Sequence, residues 1–208
     1  FSGMKNPQFA MLASQMQSFS FYKDYFSLGE QAFLGPISPN SWSRYFFNIE
    51  DTIRIQQDTV IIISYQPKKG KTFDALKGLL HINMSDFALR NATANVVDGQ
   101  GVEIKIQHKY EKLEGKTWFP TQLNTDFKML GLNLGGFKIK GVGTTYNKEV
   151  NLDEKVRAID ISSNTLELDS KAHKKDSAFW NAERETPLSE KELRTYHVID
   201  SVGKELKL

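Results

Sequence analysis

From Arg44 onward, apolar and polar side chains alternate with a period of two. Tyr45, Phe47, Ile49, Ile53 and Ile55 alternate with Asn48, Glu50, Thr52 and Arg54, and Val60 to Tyr65 is almost entirely β-branched. Leu80, Ile82 and Met84 alternate with His81 and Asn83. The pattern is clearest at Val102, Ile104, Ile106, His108 and Tyr110, set against Glu103, Lys105, Gln107 and Lys109. Leu123, Phe127 and Met129 share one parity between Trp118 and Leu130, and a last strand is expected from Phe137 to about Tyr146. Successive side chains of a strand point to opposite faces, so this pattern predicts a sheet with one dry face and one wet face. The turns at Pro67-Lys68-Lys69-Gly70-Lys71, Ser85-Asp86 and Glu114-Gly115-Lys116 are short, which makes neighbouring strands antiparallel. About seven such strands form a strongly curved sheet, an open half-barrel or a sandwich.

The flanks read differently. Met4, Phe9, Met11, Leu12 and Met16 fit a short amphipathic helix within residues 4 to 18, well placed to cover the open face. An aromatic patch follows at Phe19 to Phe26, and Leu34-Gly35-Pro36-Ile37-Ser38-Pro39-Asn40 reads as a loop. The glycine-rich stretch Gly131 to Gly136 reads as a flexible loop between the last two strands. After Asn151 the chain becomes helical in pattern. Ser189 and Glu192 have the spacing of a capping box, starting a helix through Leu193, Tyr196, Ile199 and Leu206 with a thin apolar stripe. The expected fold is therefore α+β, mainly antiparallel β: a curved sheet domain with its N-terminal helix over residues 1–150, then a helical extension or connector over 151–208.

Composition narrows the function classes. The 208 residues hold no cysteine, which removes disulfides, thiolate metal sites and cysteine nucleophiles. A net charge of +2 is not the basic footprint of a nucleic-acid binder. No apolar run approaches the roughly 18 residues that span a bilayer as a helix. The chain opens at Phe1-Ser2-Gly3 without an initiator Met or a signal pattern, which reads as a processed or excised piece.

Catalytic and metal motifs fail on spacing. Gly70-Lys71-Thr72 resembles the tail of a phosphate loop, but the leading glycine position is Tyr65 and a strand follows. Gly131 to Gly136 lacks dinucleotide spacing. His81 and His108 lie in separate strands, and His173 and His197 lie in the helical part, without a metal-binding pair. Glu50 and Asp51 are adjacent in a strand, so strict alternation sends them to opposite faces. Lys68, Lys69 and Lys71 make a basic turn able to touch anionic headgroups. The 14 Phe, 7 Tyr and 3 Trp suit either a filled core or the wall of an apolar cavity. No enzyme and no cofactor is expected from these residues.

The ordered motifs resemble a Bacteroidota family of unknown function. They are Phe21-Tyr22, Pro36-Ile37-Ser38-Pro39, Tyr45, Glu50-Asp51-Thr52, Tyr65-x-Pro67, Tyr110-Glu111 and Trp118-Phe119-Pro120. The block from Ala172-His173 through Asp176, Phe179-Trp180, Arg184, Pro187-Leu188-Ser189, Glu192 and Tyr196 to Asp200-Ser201 is the most specific part. The resemblance implies a carboxypeptidase-regulatory-like sandwich, then this region, then an outer-membrane β-barrel. The region would be the soluble periplasmic middle, with the rest of its own chain as partner. The strand order after a helix is also similar to the outer-membrane lipoprotein carrier fold.

Two functions follow as expectations. The first is a non-catalytic periplasmic interaction or scaffold domain of an outer-membrane-associated protein. The second is a carrier-like module holding a lipid or acyl chain in an apolar half-barrel. The cavity lining would then be Phe47, Ile49, Ile62, Leu80, Ile82, Ile104, Ile106, Leu123 and Phe127.

Overall fold

The computed structural model describes residues 20–28, 31–70, 73–96, 102–134, 137–152 and 176–205. The first strands, β1 (Tyr25–Leu28) and β2 (Gln31–Leu34), form a short antiparallel hairpin. A one-turn helix, α1 (Ser41–Arg44), leads into β3 (Tyr45–Ile55), β4 (Asp58–Pro67), β5 (Leu76–Asn83) and β6 (Leu89–Val96). Then come β7 (Val102–Leu113), β8 (Thr117–Leu134) and β9 (Phe137–Tyr146). Each of β3 to β9 pairs antiparallel with the next, so this seven-stranded sheet runs in chain order and stays open. Its turns match the local chemistry. Ile55 pairs with Asp58 across a two-residue connection in which Gln56 takes φ 57°, and Glu114 and Gly115 take φ 50° and 67° between Leu113 and Thr117. Register shifts at Ile49/Asp51, His81/Ile82 and Lys109/Tyr110 interrupt the ladders and sharpen the twist.

The register sorts the side chains onto two faces. On one, Tyr65 lies beside Phe47 and Gly78, Ile63 beside Ile49 and Leu80, and Ala92 beside Leu80 and His108. Residues from the N-terminal part of the chain pack on this face. Phe21 and Phe33 are buried in one cluster with Tyr45, Tyr65, Leu76 and Leu80. Phe21 meets His108 edge-on at 5.1 Å, and Tyr22 meets Tyr110 at 5.8 Å. The phenols are tied to backbone. Tyr45 Oη donates to the Leu34 carbonyl at 2.8 Å, Tyr65 Oη donates to the Thr93 carbonyl at 2.8 Å, and Tyr22 Oη accepts from the Leu89 amide at 3.0 Å. Burial pushes Tyr45 up to about 12 and raises Tyr65 and Tyr110 as well, which keeps all three protonated at neutral pH.

One expectation, that of a loop at Gly131, changes. The helix expected within 4 to 18 lies outside the described residues; among those described, Phe21, Phe33 and Leu34 pack on the apolar face. The stretch from Gly131, expected to be a flexible loop, continues β8 as far as Leu134, which pairs with Phe137. Glycine weakens a strand but does not forbid one, and the ladder to β9 carries it.

Chain contacts define two units, Gln15–Val150 with the sheet, and Phe1–Ser14 together with Asn151–Leu208. In the second unit, α2 (Ser177–Glu183) is capped by Asp176, whose carboxylate accepts from the Phe179 amide at 2.8 Å. The helix α3 (Glu190–Glu205) starts at the expected capping box. Glu192 reaches back to the Ser189 amide at 2.8 Å, and the Glu192 amide donates to Ser189 Oγ at 3.4 Å. Arg184, between the helices, lies over the Tyr196 ring at 5.6 Å. No described helix is long and apolar enough to cross a membrane.

Candidate functional site

The second face of the sheet is polar, and it is where a cavity forms. The alternation that buries Ile106 and His108 sends Lys105, Gln107 and Lys109 to the other side. Through the register, Gln107 lies between Thr93 and Asn124, and Asn124 lies beside Thr144. A neighbouring row carries Asn95, Lys105, Asp126 and Val142, and another carries Asn91, Lys109, Gln122 and Tyr146. From these rows Thr93, Asn95, Lys105, Gln107, Gln122, Asn124, Asp126 and Thr144, with Ile106, line a groove of about 570 Å³ running across β6 to β9.

The groove's amides are held in a chain. Gln107 Nε2 donates to Asn91 Oδ1 at 3.1 Å, Asn124 Nδ2 donates to Gln107 Oε1 at 3.0 Å, and Gln122 Nε2 donates to Asn124 Oδ1 at 3.0 Å. Thr93 Oγ1 accepts from the Leu79 amide at 3.0 Å, and Asn95 Nδ2 donates to the Lys77 carbonyl at 3.3 Å. Each carboxamide offers two N–H donors and an oxygen with two lone pairs. The central two, Gln107 and Asn124, spend one donor and one acceptor position each on the chain. The remaining positions are oriented before any ligand arrives. The facing charges, Lys105 and Asp126, sit opposite each other in the β7–β8 register, so the lining carries both signs.

The nine residues expected to line an apolar cavity fall at different depths on the sheet. Leu80 and Ile106 are in the core, with Phe47, Ile82 and Ile104 packed against it. Ile49 shares that face but is 64% exposed near the edge of the sheet. Ile62 is on the polar face, paired with His81. Leu123 and Phe127 are half-buried, and the Phe127 ring covers Gly141, where a Cβ would meet ring carbon at 2.0 Å. Of the nine, Ile106 alone also borders the groove. The sequence signal for a ligand wall was apolar alternation, and the space beside that wall is occupied by Phe21 and Phe33.

Other candidates fall on separate parts of the sheet. His81 is half-buried on the polar face, while His108 is buried on the apolar one. His173 lies outside the described residues. Burial pushes His108 down to about 4 and lowers His81, so both are neutral at pH 7. No group of three or more His, Cys, Asp or Glu suited to a metal occurs among the described residues. The expectation for Glu50 and Asp51 needs correction, because the bulge at Ile49/Asp51 breaks the alternation there. Glu50 accepts from Ser64 Oγ and from Asn48 Nδ2 at 3.0 Å, and Asp51 accepts from the Thr52 amide at 2.7 Å. Both carboxylates are thus in local polar contacts. Gly70 takes φ 75° at a turn, and Lys68 Nζ donates to the Trp42 carbonyl at 2.8 Å.

The most heavily bonded carboxylate is Asp86. It accepts from Asn83 Nδ2 at 2.8 Å, Trp118 Nε1 at 2.8 Å and Lys112 Nζ at 2.9 Å. Arg90 stacks on the same Trp118 ring at 5.4 Å and bonds Asp58 at 3.1 Å. The Trp118 hydrogen bond, above the others, holds Asp86 well below the usual carboxylate range. Such a satisfied anion ties the β5–β6 turn to the β7–β8 hairpin and is not poised as a base.

Comparison with known proteins corrects the expected architecture. No curated protein and no solved structure matches the chain, which removes support for the likeness to the lipoprotein carrier fold. The arrangement of sandwich, middle region and outer-membrane barrel does not stand either: the sheet is open, and the matching family model describes a family of unknown function. That model ends before the block from Ala172 to Ser201, the part of the resemblance with the densest motif. Several of the motif residues that it does include, Phe21, Tyr45, Tyr65 and Tyr110, are the aromatic core of the sheet. With the model matched over residues 2–148, the chain belongs to a family of unknown function, DUF5686.

Proposed function

We propose that the sheet is a non-catalytic interaction domain whose working surface is the polar groove of β6 to β9. One observation carries the reading: Phe21 and Phe33 pack into the core cluster on the apolar face, whereas the polar face carries a groove of about 570 Å³ lined by pre-oriented amides. Surfaces that bind without chemistry need ordered donors and acceptors more than titrating groups, and the groove supplies the former. The periplasm is the proposed compartment. A chain of 208 residues without cysteine is compatible with it, having no thiol to oxidise there, and cell fractionation with an antibody tests it.

The interaction reading is tested by a photo-crosslinking amino acid placed at Asn124 in cells that make the protein. A control position at Gln57, exposed in the β3–β4 turn, is carried in parallel. Discrete adducts at Asn124 and none at Gln57 are expected. Equal labelling at both positions, or none at Asn124, counts against the groove as the working surface.

A further inference from the structure

Resting on the reading of the groove as the working surface, we infer that it binds an uncharged oligosaccharide. The argument starts from what the lining can exchange with a ligand. Sugar hydroxyls both donate and accept, as do carboxamides, and each of Gln107 and Asn124 keeps one N–H and one lone pair beyond its bonds in the amide chain. Asn91, outside the lining, anchors the chain by accepting from Gln107 through its side-chain oxygen.

Charge narrows the ligand further. Lys105 and Asp126 face each other in register, so the lining has no excess of either sign to match a polyanion or a polycation. An acyl chain fits worse, because the lining is mostly amide, hydroxyl and charged side chains. Shape agrees with a short oligomer. Four adjacent strands span three interstrand spacings, about 14 Å, which is the length of a di- or trisaccharide, and the cavity volume is within the range of small-ligand sites.

The test is a titration of the ¹⁵N-labelled 208-residue chain, followed by amide chemical shifts. The probes are neutral oligomers of β-1,4-glucose, α-1,4-glucose, β-1,4-mannose and N-acetylglucosamine. A galacturonic-acid oligomer and an extended peptide serve as counter-probes. Saturable shifts at Gln107, Asn124 and Thr144 with at least one neutral oligomer are expected. Asn124→Ala should weaken that binding about tenfold or more. Thr144→Arg fills the groove from an exposed position on the edge strand and leaves the amide chain intact, so it carries the test if Asn124→Ala does not fold. The assignment is overturned by shifts with no neutral oligomer, by shifts mapping away from the groove, by unchanged affinity in the folded variants, or by preference for a counter-probe. If the sugars fail while Asn124 still gives crosslinked adducts, the ligand class is wrong and the working surface stands. If both fail, the surface is wrong too.

Discussion

The Tyr65 ring crosses over Gly78, its register partner on β5, and its hydroxyl donates to the Thr93 carbonyl on β6. The glycine makes this possible. A Cβ on Gly78 would stand 1.9 Å from the Thr93 carbonyl oxygen and 3.0 Å from Tyr65 Oη. An aromatic side chain covering a strand glycine restores the packing that the missing side chain gives up. Phe127 over Gly141 repeats the arrangement between β8 and β9. The two pairs bind neighbouring strands on the face opposite the groove.

Gly78→Ala should therefore be destabilising despite the unfolded-state entropy it saves. Overpacking costs on the order of 1–3 kcal/mol, against a gain of roughly 0.4–1 kcal/mol from a stiffer unfolded chain. Tyr65→Phe should cost about 1 kcal/mol for the lost hydrogen bond. Urea unfolding of the two variants checks this. A Gly78→Ala protein as stable as wild type would show that β5 and β6 are not held this close.

Asp86 should behave as a clamp between two hairpins. Asp86→Asn keeps the shape but removes the charge that Lys112 and Trp118 address, and should cost about 1.5–3 kcal/mol, the range for hydrogen bonds to a charged group. The carboxylate is depressed in the fold, so its contribution is present above the unfolded value of about 4 and is lost as pH falls below it. A double-mutant cycle of Asp86→Asn with Trp118→Phe measures the coupling. A coupling near zero rules out the clamp.

At the start of α3, Ser189→Ala should cost about 1 kcal/mol of local helix stability. Both directions of the capping box pass through Ser189 and Glu192, so the loss should appear as faster amide exchange and less helical Cα shifts over the first turn, Glu190 to Leu193. Unchanged shifts there mean that solvent replaces the cap without cost.

The strands were legible in the sequence because each of the seven carries its own alternation or β-branched run, as β7 does from Val102 to Tyr110. The hairpin of β1 and β2 was not. Its strands are four residues each, too short to show a period, and Phe21 and Phe33 declare their role only where they meet residues such as Leu80 and Ile106. For the same reason the apolar face reads as a wall without showing what covers it: alternation reports which face is dry, not what lies on it. The groove was invisible for the opposite reason. Asn91, Gln107 and Asn124 are ordinary polar positions along the chain, and it takes the register across three strands to join them. The bulge beside Glu50 likewise leaves no mark in a sequence that has Phe47 and Ile49 before it and Ile53 and Ile55 after it at odd positions.

His108 gives the sharpest pH dependence. It lies between Ala92 and Leu123 in the register, with Phe21 edge-on to its ring, and burial pushes its pKa down to about 4. In the unfolded chain the imidazole titrates near 6.5. Between those values the unfolded state binds the proton and the folded state does not, so stability rises with pH across the window and is fully present above about 6.5. On acidification from pH 7 to about 5, His108 should remove on the order of 2 kcal/mol, with His81 adding a share of the same sign. His108→Gln should be less stable at pH 7, because it buries an amide where a neutral ring packs, yet should lose much less between the two pH values. Urea midpoints of both proteins at pH 7 and pH 5 decide it. Equal losses on acidification would move the titration away from His108 and leave the burial of its ring unexplained by charge.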